Sequence, residues 1–341
     1  MRIAWVTGGT LVEDSFGRFT SRTASTRYRI LIPAQVMQTS GTAQSRVISL
    51  LSTEEIDQRE SDFPFQHDVL VISKIFNRGV VRWVERFQAL GRPVVVDLCD
   101  DHFGSEYDDL NRRLVSLANV VVANTEAMAR RIKAVCGRSA VVIPDSYEGE
   151  RQPPRFTPSH DCLKLLWFGS DTQLATLGDY LPRLLAGLHG NGVSLSIHIE
   201  IVTREITDLR ENIAAFNRKY APQVVLKFTP WDFGVTEAAL SRCDAVIIPS
   251  RDEARFHVKS ANRLLLSLWN GRFVAAWPLP EYRQFAAWSY VGEELAEGLC
   301  WALANPHAIE TGIRAAQDYI YTLFSPREIS SLWSFLLRSI N

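Results

Sequence analysis

The chain has 341 residues, of which 46% are hydrophobic, 22% charged and 10% aromatic. At about 100–200 residues per domain this predicts two or three domains, each with its own core, and it excludes disorder and collagen-like repeats. The 37 Lys and Arg against 38 Asp and Glu leave a net charge of −1, which argues against a dedicated nucleic-acid binder, whose affinity comes from neutralising many phosphates.

The N-terminus, Met1-Arg2-Ile3-Ala4-Trp5-Val6, reaches Thr7-Gly8-Gly9 after too few apolar residues for a signal peptide. Strands are expected at Ile3–Thr7, Val47–Leu51, Val69–Ser73, Val94–Leu98, Val120–Ala123 and Val141–Ile143. Their continuous rather than alternating hydrophobicity suits strands buried on both faces of a parallel sheet. Between them Tyr28–Thr39, Val80–Leu90, Asn111–Leu117 and Glu126–Val135 read as crossover helices, the last with Thr125 as N-cap. Such alternation predicts a doubly wound α/β domain.

Residues 145–162 break the pattern, with Pro153, Pro154 and Pro158 among polar residues, and are the linker candidate. A second series follows, with strands at Leu163–Phe168, Leu195–Val202, Val224–Phe228, Ala245–Pro249 and Phe273–Ala276. Helices are expected at Thr176–Leu188, Ile206–Lys219, Thr236–Cys243, Ala261–Trp269 and Glu293–Ala304, and an amphipathic helix, Pro326–Ile340, ends the chain. Two Rossmann-like halves would face each other across a cleft at the carboxyl ends of their strands. Cys99, Cys136, Cys162, Cys243 and Cys300 are scattered without a Cys-x-x-Cys pair and read as reduced thiols of a cytoplasmic protein. No apolar run approaches the roughly 18 residues of a membrane-spanning helix. Peripheral membrane attachment stays open, through helix charges such as Arg112, Arg113, Arg130, Arg131 and Lys133.

The stretch with most chemical content runs from Ile247 to Arg272. A buried strand enters a polar loop that opens a helix, and Gly271 ends that helix where positive φ is wanted. A helix N-terminus carries unpaired N–H groups, so Lys259, Ser260, Asn262 and Arg263 could converge there on an anion such as a diphosphate. The structural alternative has Ser260 capping the helix and the cations solvated. His257 shares this loop with Arg251 and Arg255.

Lys259-Ser260-Ala261-Asn262-Arg263-Leu264-Leu265, followed by Gly271–Ala276 and Leu279-Pro280-Glu281-Tyr282, resembles the donor-site helix and following strand of group 1 glycosyltransferases. Ser25–Arg29 looks like the start of their first helix, and Val96–Asp101 like an acidic strand end. Asn124–Glu126 and Ile143–Asp145 stand where motifs common near the end of the family's first domain are found. The resemblance implies the GT-B architecture, with an acceptor-binding half over residues 1–150, a linker over 151–162 and a donor-binding half over 163–325. Residues 326–341 would form a C-terminal helix packing back on the first half. It also implies hexose transfer from a nucleoside diphosphate-sugar, with no further cofactor and no metal, to a saccharide, lipid-linked or protein acceptor. Lys259 and Arg263 would neutralise the donor diphosphate. The chain departs from the family where glutamates often stand on and before the donor helix; those places hold Leu266 and Val258. The Gly-Arg and downstream Lys that often follow the first strand of the second domain are replaced by Gly169-Ser170-Asp171-Thr172-Gln173.

Gly169 and Ser170 remain donor-site candidates, because Ser170 follows a clean strand and could cap the next helix near a phosphate. Gly8 and Gly9 open a long polar loop, Thr10–Ala24, and loops of that length are usually functional or disordered. Arg27 lies early in a helix, where a cation opposes the dipole unless an anion is near. Asp97, Asp100, Asp101 and His102 crowd one strand end. Asp100, Asp101 or His102 would be the general base or acceptor-orienting group, with a solvated turn as the structural alternative. Lys74 leaves another strand end and would help form the acceptor pocket. The balanced charge total would then conceal a cationic donor side (Arg251, Arg255, Lys259, Arg263) and an acidic acceptor side. A non-catalytic GT-B-like binding protein and a nucleotide-sugar epimerase of the same fold are the alternatives.

Overall fold

The computed structural model of the protein describes residues 1–13, 18–50 and 65–341. The chain divides into two compact units. The first comprises Met1–Glu148, His257–Ser260 and Thr322–Asn341; the second comprises Gly149–Phe256 and Ala261–Tyr321.

In the first unit β1 (Arg2–Thr7) leads to a small antiparallel pair, β2 (Leu11–Glu13) and β3 (Phe19–Ser21). Five further strands follow: β4 (Gln44–Ser49), β5 (Val69–Ser73), β6 (Val94–Leu98), β7 (Val120–Ala123) and β8 (Val141–Val142). The main sheet has the order β4-β1-β5-β6-β7-β8 and is parallel throughout. The expected polar loop Thr10–Ala24 thus holds an antiparallel strand pair; its residues 14–17 lie outside the described residues, as does Leu51 at the end of an expected strand.

Both faces of this sheet are covered, which is why its strands read as unbroken apolar runs. One core gathers Val6, Leu70, Ile72, Val96, Trp83, Phe87, Leu114 and Ile132, and it takes in Val258 from the excursion at residues 257–260. The other gathers Ile3, Trp5, Val71, Ile30 and Met37 with Ile329, Trp333 and Leu337 of the C-terminal helix, Pro326–Ser339. Trp5 and Trp333 meet edge to face, with ring centroids 5.2 Å apart, the arrangement their quadrupoles favour.

The helix after β3 is interrupted. Ala24–Thr26 passes into a π turn over Arg27–Leu31 and then into Ile32–Thr39. Pro33 has no N–H for the carbonyl of Arg29, so the regular i to i−4 ladder cannot run through this point. Thr125 caps Glu126–Cys136, accepting the Met128 N–H at 3.0 Å.

The second unit holds β9 (Cys162–Phe168), β10 (Ser196–Thr203), β11 (Val224–Pro230), β12 (Ala245–Ile248), β13 (Phe273–Ala276) and β14 (Tyr290–Val291). Its parallel sheet has the order β11-β10-β9-β12-β13-β14. Strand order reverses direction between β9 and β12, the switch point where such sheets open a crevice at their carboxyl ends. The Pro-rich segment does not hang free. Gln152 N–H donates to the Trp269 carbonyl at 3.1 Å and Arg155 N–H to that of Gly271 at 2.9 Å. Gly271 has φ of 73°, and a Cβ there would lie 2.2 Å from the Pro153 oxygen, so glycine is required twice over.

Candidate functional site

In the first unit the reversal of strand order falls between β1 and β5, and the residues leaving these strands are locked together. Gly8 N–H donates to the Lys74 carbonyl at 3.1 Å. A Cβ on Gly8 would stand 2.6 Å from that oxygen, so only glycine allows the approach. Lys74 itself is left-handed, with φ of 54°, an arrangement in which strain is stored for a non-glycine residue. Gly9 N–H is fixed by the Thr7 hydroxyl at 3.1 Å, and a Cβ on Gly9 would strike the Thr26 hydroxyl oxygen.

The Lys74 ammonium donates to one carboxylate oxygen of Asp100, and the Lys259 ammonium to the other. Lys259 is brought there by its neighbour Val258, buried in the first unit's core, whose carbonyl accepts the Thr125 hydroxyl at 3.1 Å. Burial opposes ionisation of Asp100, yet Lys259 and Lys74 outweigh it and hold this carboxyl well below its ordinary range. Burial lowers Lys74, but Cys99 and Asp100 together raise it. A pocket at this edge is lined by Lys74, Phe76, Cys99, Asp100 and His102, among others. His102 packs edge-on against Phe76 with centroids 5.1 Å apart, and its Nε2 has no hydrogen-bond partner. Burial lowers its pKa against the opposing pull of Asp100, and the two nearby lysines add to the lowering.

The crowded carboxylates expected from the sequence do not face one another unpaired. Asp101 accepts from Arg131 Nε at 2.8 Å and from the Phe103 N–H at 3.0 Å. Asp97 accepts from the fully buried Arg29, with Nη2 at 2.5 Å, and from the Ser73 hydroxyl at 2.6 Å. Arg29 Nη1 also reaches Asp145 at 3.0 Å and the Ile143 carbonyl. Arg27 is held by Glu148, with Nη2 at 2.7 Å, and by the Ser21 carbonyl at 2.8 Å. The anions near these early helix cations are therefore the chain's own carboxylates. Glu148, which also accepts the Tyr28 hydroxyl at 3.0 Å, carried no motif in the sequence. Among the described residues no group of three or more His, Cys, Asp or Glu has the arrangement of a metal site.

In the second unit Gly169 follows β9, and its N–H donates to the Val202 carbonyl at 3.2 Å. Arg263, one residue into the helix Asn262–Trp269, lies against it: a Cβ on Gly169 would be 3.1 Å from Arg263 Nη1 and 3.1 Å from Gln173 Oε1. The same Nη1 donates a long bond, 3.4 Å, to the Phe168 carbonyl. A half-buried guanidinium thus stands at the carboxyl end of β9. Ser170 shares a hydrogen bond with Thr172 at 2.8 Å, and no Ser170 side-chain cap forms. Ser260 does not cap either, because Ala261 occupies the cap position of Asn262–Trp269. His257 closes the short helix Ala254–His257.

Three of the four cations expected on the donor side have carboxylate partners. Arg251 bonds Asp179 and lies 3.7 Å from Glu253; Arg255 bonds Glu253 at 2.8 Å; Lys259 bonds Asp100. At these three positions the charges are neutralised locally, while Arg263 has the Phe168 carbonyl at 3.4 Å.

No protein-family model matches the sequence, and no curated protein matches it. Solved structures do. Anabaena HepE, determined in complex with UDP, aligns over 99% of this chain and 99% of its own at 13% identity, with a TM-score of 0.67. The UDP-forming α,α-trehalose-phosphate synthase of Burkholderia xenovorans aligns over 84% of this chain and 77% of its own at 11% identity and a TM-score of 0.60. MurG of Acinetobacter baumannii covers 99% and 100% at 12% identity and a TM-score of 0.50. With its two parallel α/β sheets, the chain has the GT-B glycosyltransferase fold.

Proposed function

We propose that the protein is a glycosyltransferase that moves a hexose from a nucleoside diphosphate-sugar, of which a UDP-sugar is the first choice, to a saccharide, lipid-linked or protein acceptor. The UDP preference follows from similarity in fold to HepE, whose structures hold UDP and UDP-glucose. The observation that carries the reading is Arg263 at the switch point of the second sheet, its Nη1 lying against Gly169 and bonded to the Phe168 carbonyl at the end of β9. Charge develops on the departing diphosphate in sugar transfer, and a guanidinium beside helix N–H groups stabilises it. Lys259, Ser260, Asn262, Gly169, Ser170 and His257 complete the donor set, and Asp100, His102, Lys74, Gly8 and Gly9 the acceptor set. Asp101 and Arg27, tied to Arg131 and Glu148, support the first unit's edge from positions already neutralised. The five cysteines are free, which suits a cytoplasmic site of action, and among the described residues no helix is long and apolar enough to cross a membrane.

Titration calorimetry against UDP, GDP, ADP, TDP and CMP tests the reading. Binding of one nucleoside diphosphate is expected, weakened about tenfold or more by Arg263→Ala, the usual scale for a charge-assisted contact. Absence of binding to all five, or binding indifferent to both Arg263→Ala and Lys259→Ala, overturns it. A second reading, a non-catalytic binding protein of the same fold, is favoured by Leu266 and Val258. Both are buried apolar side chains where the resemblance leads one to expect glutamates. Nucleotide binding without turnover of any UDP-sugar would establish that reading instead.

A further inference from the structure

We propose that Asp100 is a placeholder anion: its carboxylate occupies Lys259 until an anionic group of the substrate, the diphosphate of the donor, takes its place. The inference rests on the donor reading above and adds to it an internal competitor.

Three features of the first unit carry it. Asp100 is gripped from both sides, by Lys74 on one oxygen and Lys259 on the other, so losing one ammonium still leaves the carboxylate paired. The two grips also differ in rigidity. Lys74 is fixed at its backbone by the Gly8 N–H and by the lack of room behind it, and its side chain is 23% exposed. Lys259 has the more open side chain, at 37% exposure, above a backbone anchored through Val258. Of the two cations, Lys259 is the one an incoming anion can reach and take over. Finally, the neighbouring carboxylates Asp97 and Asp101 have cations of their own in Arg29 and Arg131, so neither demands Lys259 once Asp100 releases it.

The exchange couples binding to chemistry. While both lysines hold it, the Asp100 carboxylate is a weak proton acceptor, since each ammonium favours its charged form. When a diphosphate captures Lys259, Asp100 keeps only Lys74, and its affinity for a proton rises when a donor is present to react. A carboxylate that competes for the ligand's cation costs affinity in the free protein, as any pre-occupied site does.

The test compares UDP and inorganic pyrophosphate binding by calorimetry in the wild-type chain, Asp100→Asn, Lys259→Ala and the double variant. Removing the competing charge is expected to tighten both ligands about tenfold, within the range of coupling between linked sites. The gain should vanish in the Lys259→Ala background. A merely structural role for Asp100 would weaken binding on substitution, the opposite sign. Should Asp100→Asn fail to fold, Asp100→Ser removes the same charge. Unchanged or weaker binding after loss of the carboxylate, or a gain that persists without Lys259, overturns the proposal alone. A protein that binds no nucleoside diphosphate with or without Asp100 overturns the donor reading and this one together.

Discussion

Replacing Arg29 with methionine probes the element on which the first unit's carboxyl edge depends. The Arg29 side chain is fully buried, Asp97 is 0% and Asp145 5% exposed at the side chain, and the guanidinium joins them to the Ile143 carbonyl. It therefore ties the first helix to the ends of β6 and β8 in a single group. Methionine keeps most of the stem packed against Trp333, whose ring lies 5.7 Å from the guanidinium carbon, but strands two carboxylates without their cation. Breaking a buried ion pair from one side costs about 3–5 kcal/mol. At roughly 2–4 °C per kcal/mol for a domain of this size, the first unit should melt about 6–20 °C lower. Hydrogen exchange read by mass spectrometry separates the two units, and protection should fall in peptides of β1, β6 and the C-terminal helix. The triple variant Arg29→Met, Asp97→Asn, Asp145→Asn should recover more than half of the loss, since neutral amides need no counter-charge. A loss below about 1 kcal/mol for Arg29→Met, or no recovery in the triple variant, would refute the claim that charge pairing holds this edge.

Gly8→Ala places a methyl 2.6 Å from the Lys74 carbonyl oxygen, and urea unfolding should show a loss of about 1–3 kcal/mol, typical of overpacking against unyielding backbone. Stability should fall with acid in two stages. The His102 pKa is held below its ordinary 6.5 by burial and by Lys74 and Lys259, so its contribution is complete above 6.5 and declines as pH drops towards the folded value. The Asp100 pKa is lowered from an ordinary 3.8 by Lys259 and Lys74 against the effect of burial, so its contribution is complete above that value and is lost below it. Melting curves should therefore flatten near pH 6 in His102→Gln and below pH 4 in Asp100→Asn; parallel curves for wild type and variants would count against both assignments. Burial pushes the thiols of Cys99 and Cys243 up to about 12. Iodoacetamide at pH 8 should accordingly label Cys136, Cys162 and Cys300 first, as peptide mapping would show.

Strands buried on both faces were the most legible part of the chain. Val69–Ser73, Val94–Leu98, Val120–Ala123 and Phe273–Ala276 have the same bounds in sequence and structure, because sandwiching between two layers demands an unbroken apolar run. The β14 strand and the β2–β3 pair lacked that signal: β14 has two residues, and among the described residues β2 and β3 pair only with each other. The helix Pro306–Phe324 carries a helical signal of its own, with Ile309, Ile313, Ala316, Ile320 and Phe324 spaced along one buried face. Of the candidate site, the residue types and their places were visible in the sequence, Gly8, Lys74, Asp100 and Gly169 after strand ends and Arg263 at a helix start.

The sequence by itself thus determined two α/β halves and the strand ends that carry polar residues, since local periodicity and turn chemistry act over a few residues. Tertiary structure alone decided the partners. Lys259 meets Asp100 across 159 positions, and Arg29 meets Asp97 across 68 and Asp145 across 116. Strand order brings such groups to one edge, and the cost of leaving a buried charge unpaired selects which of them join.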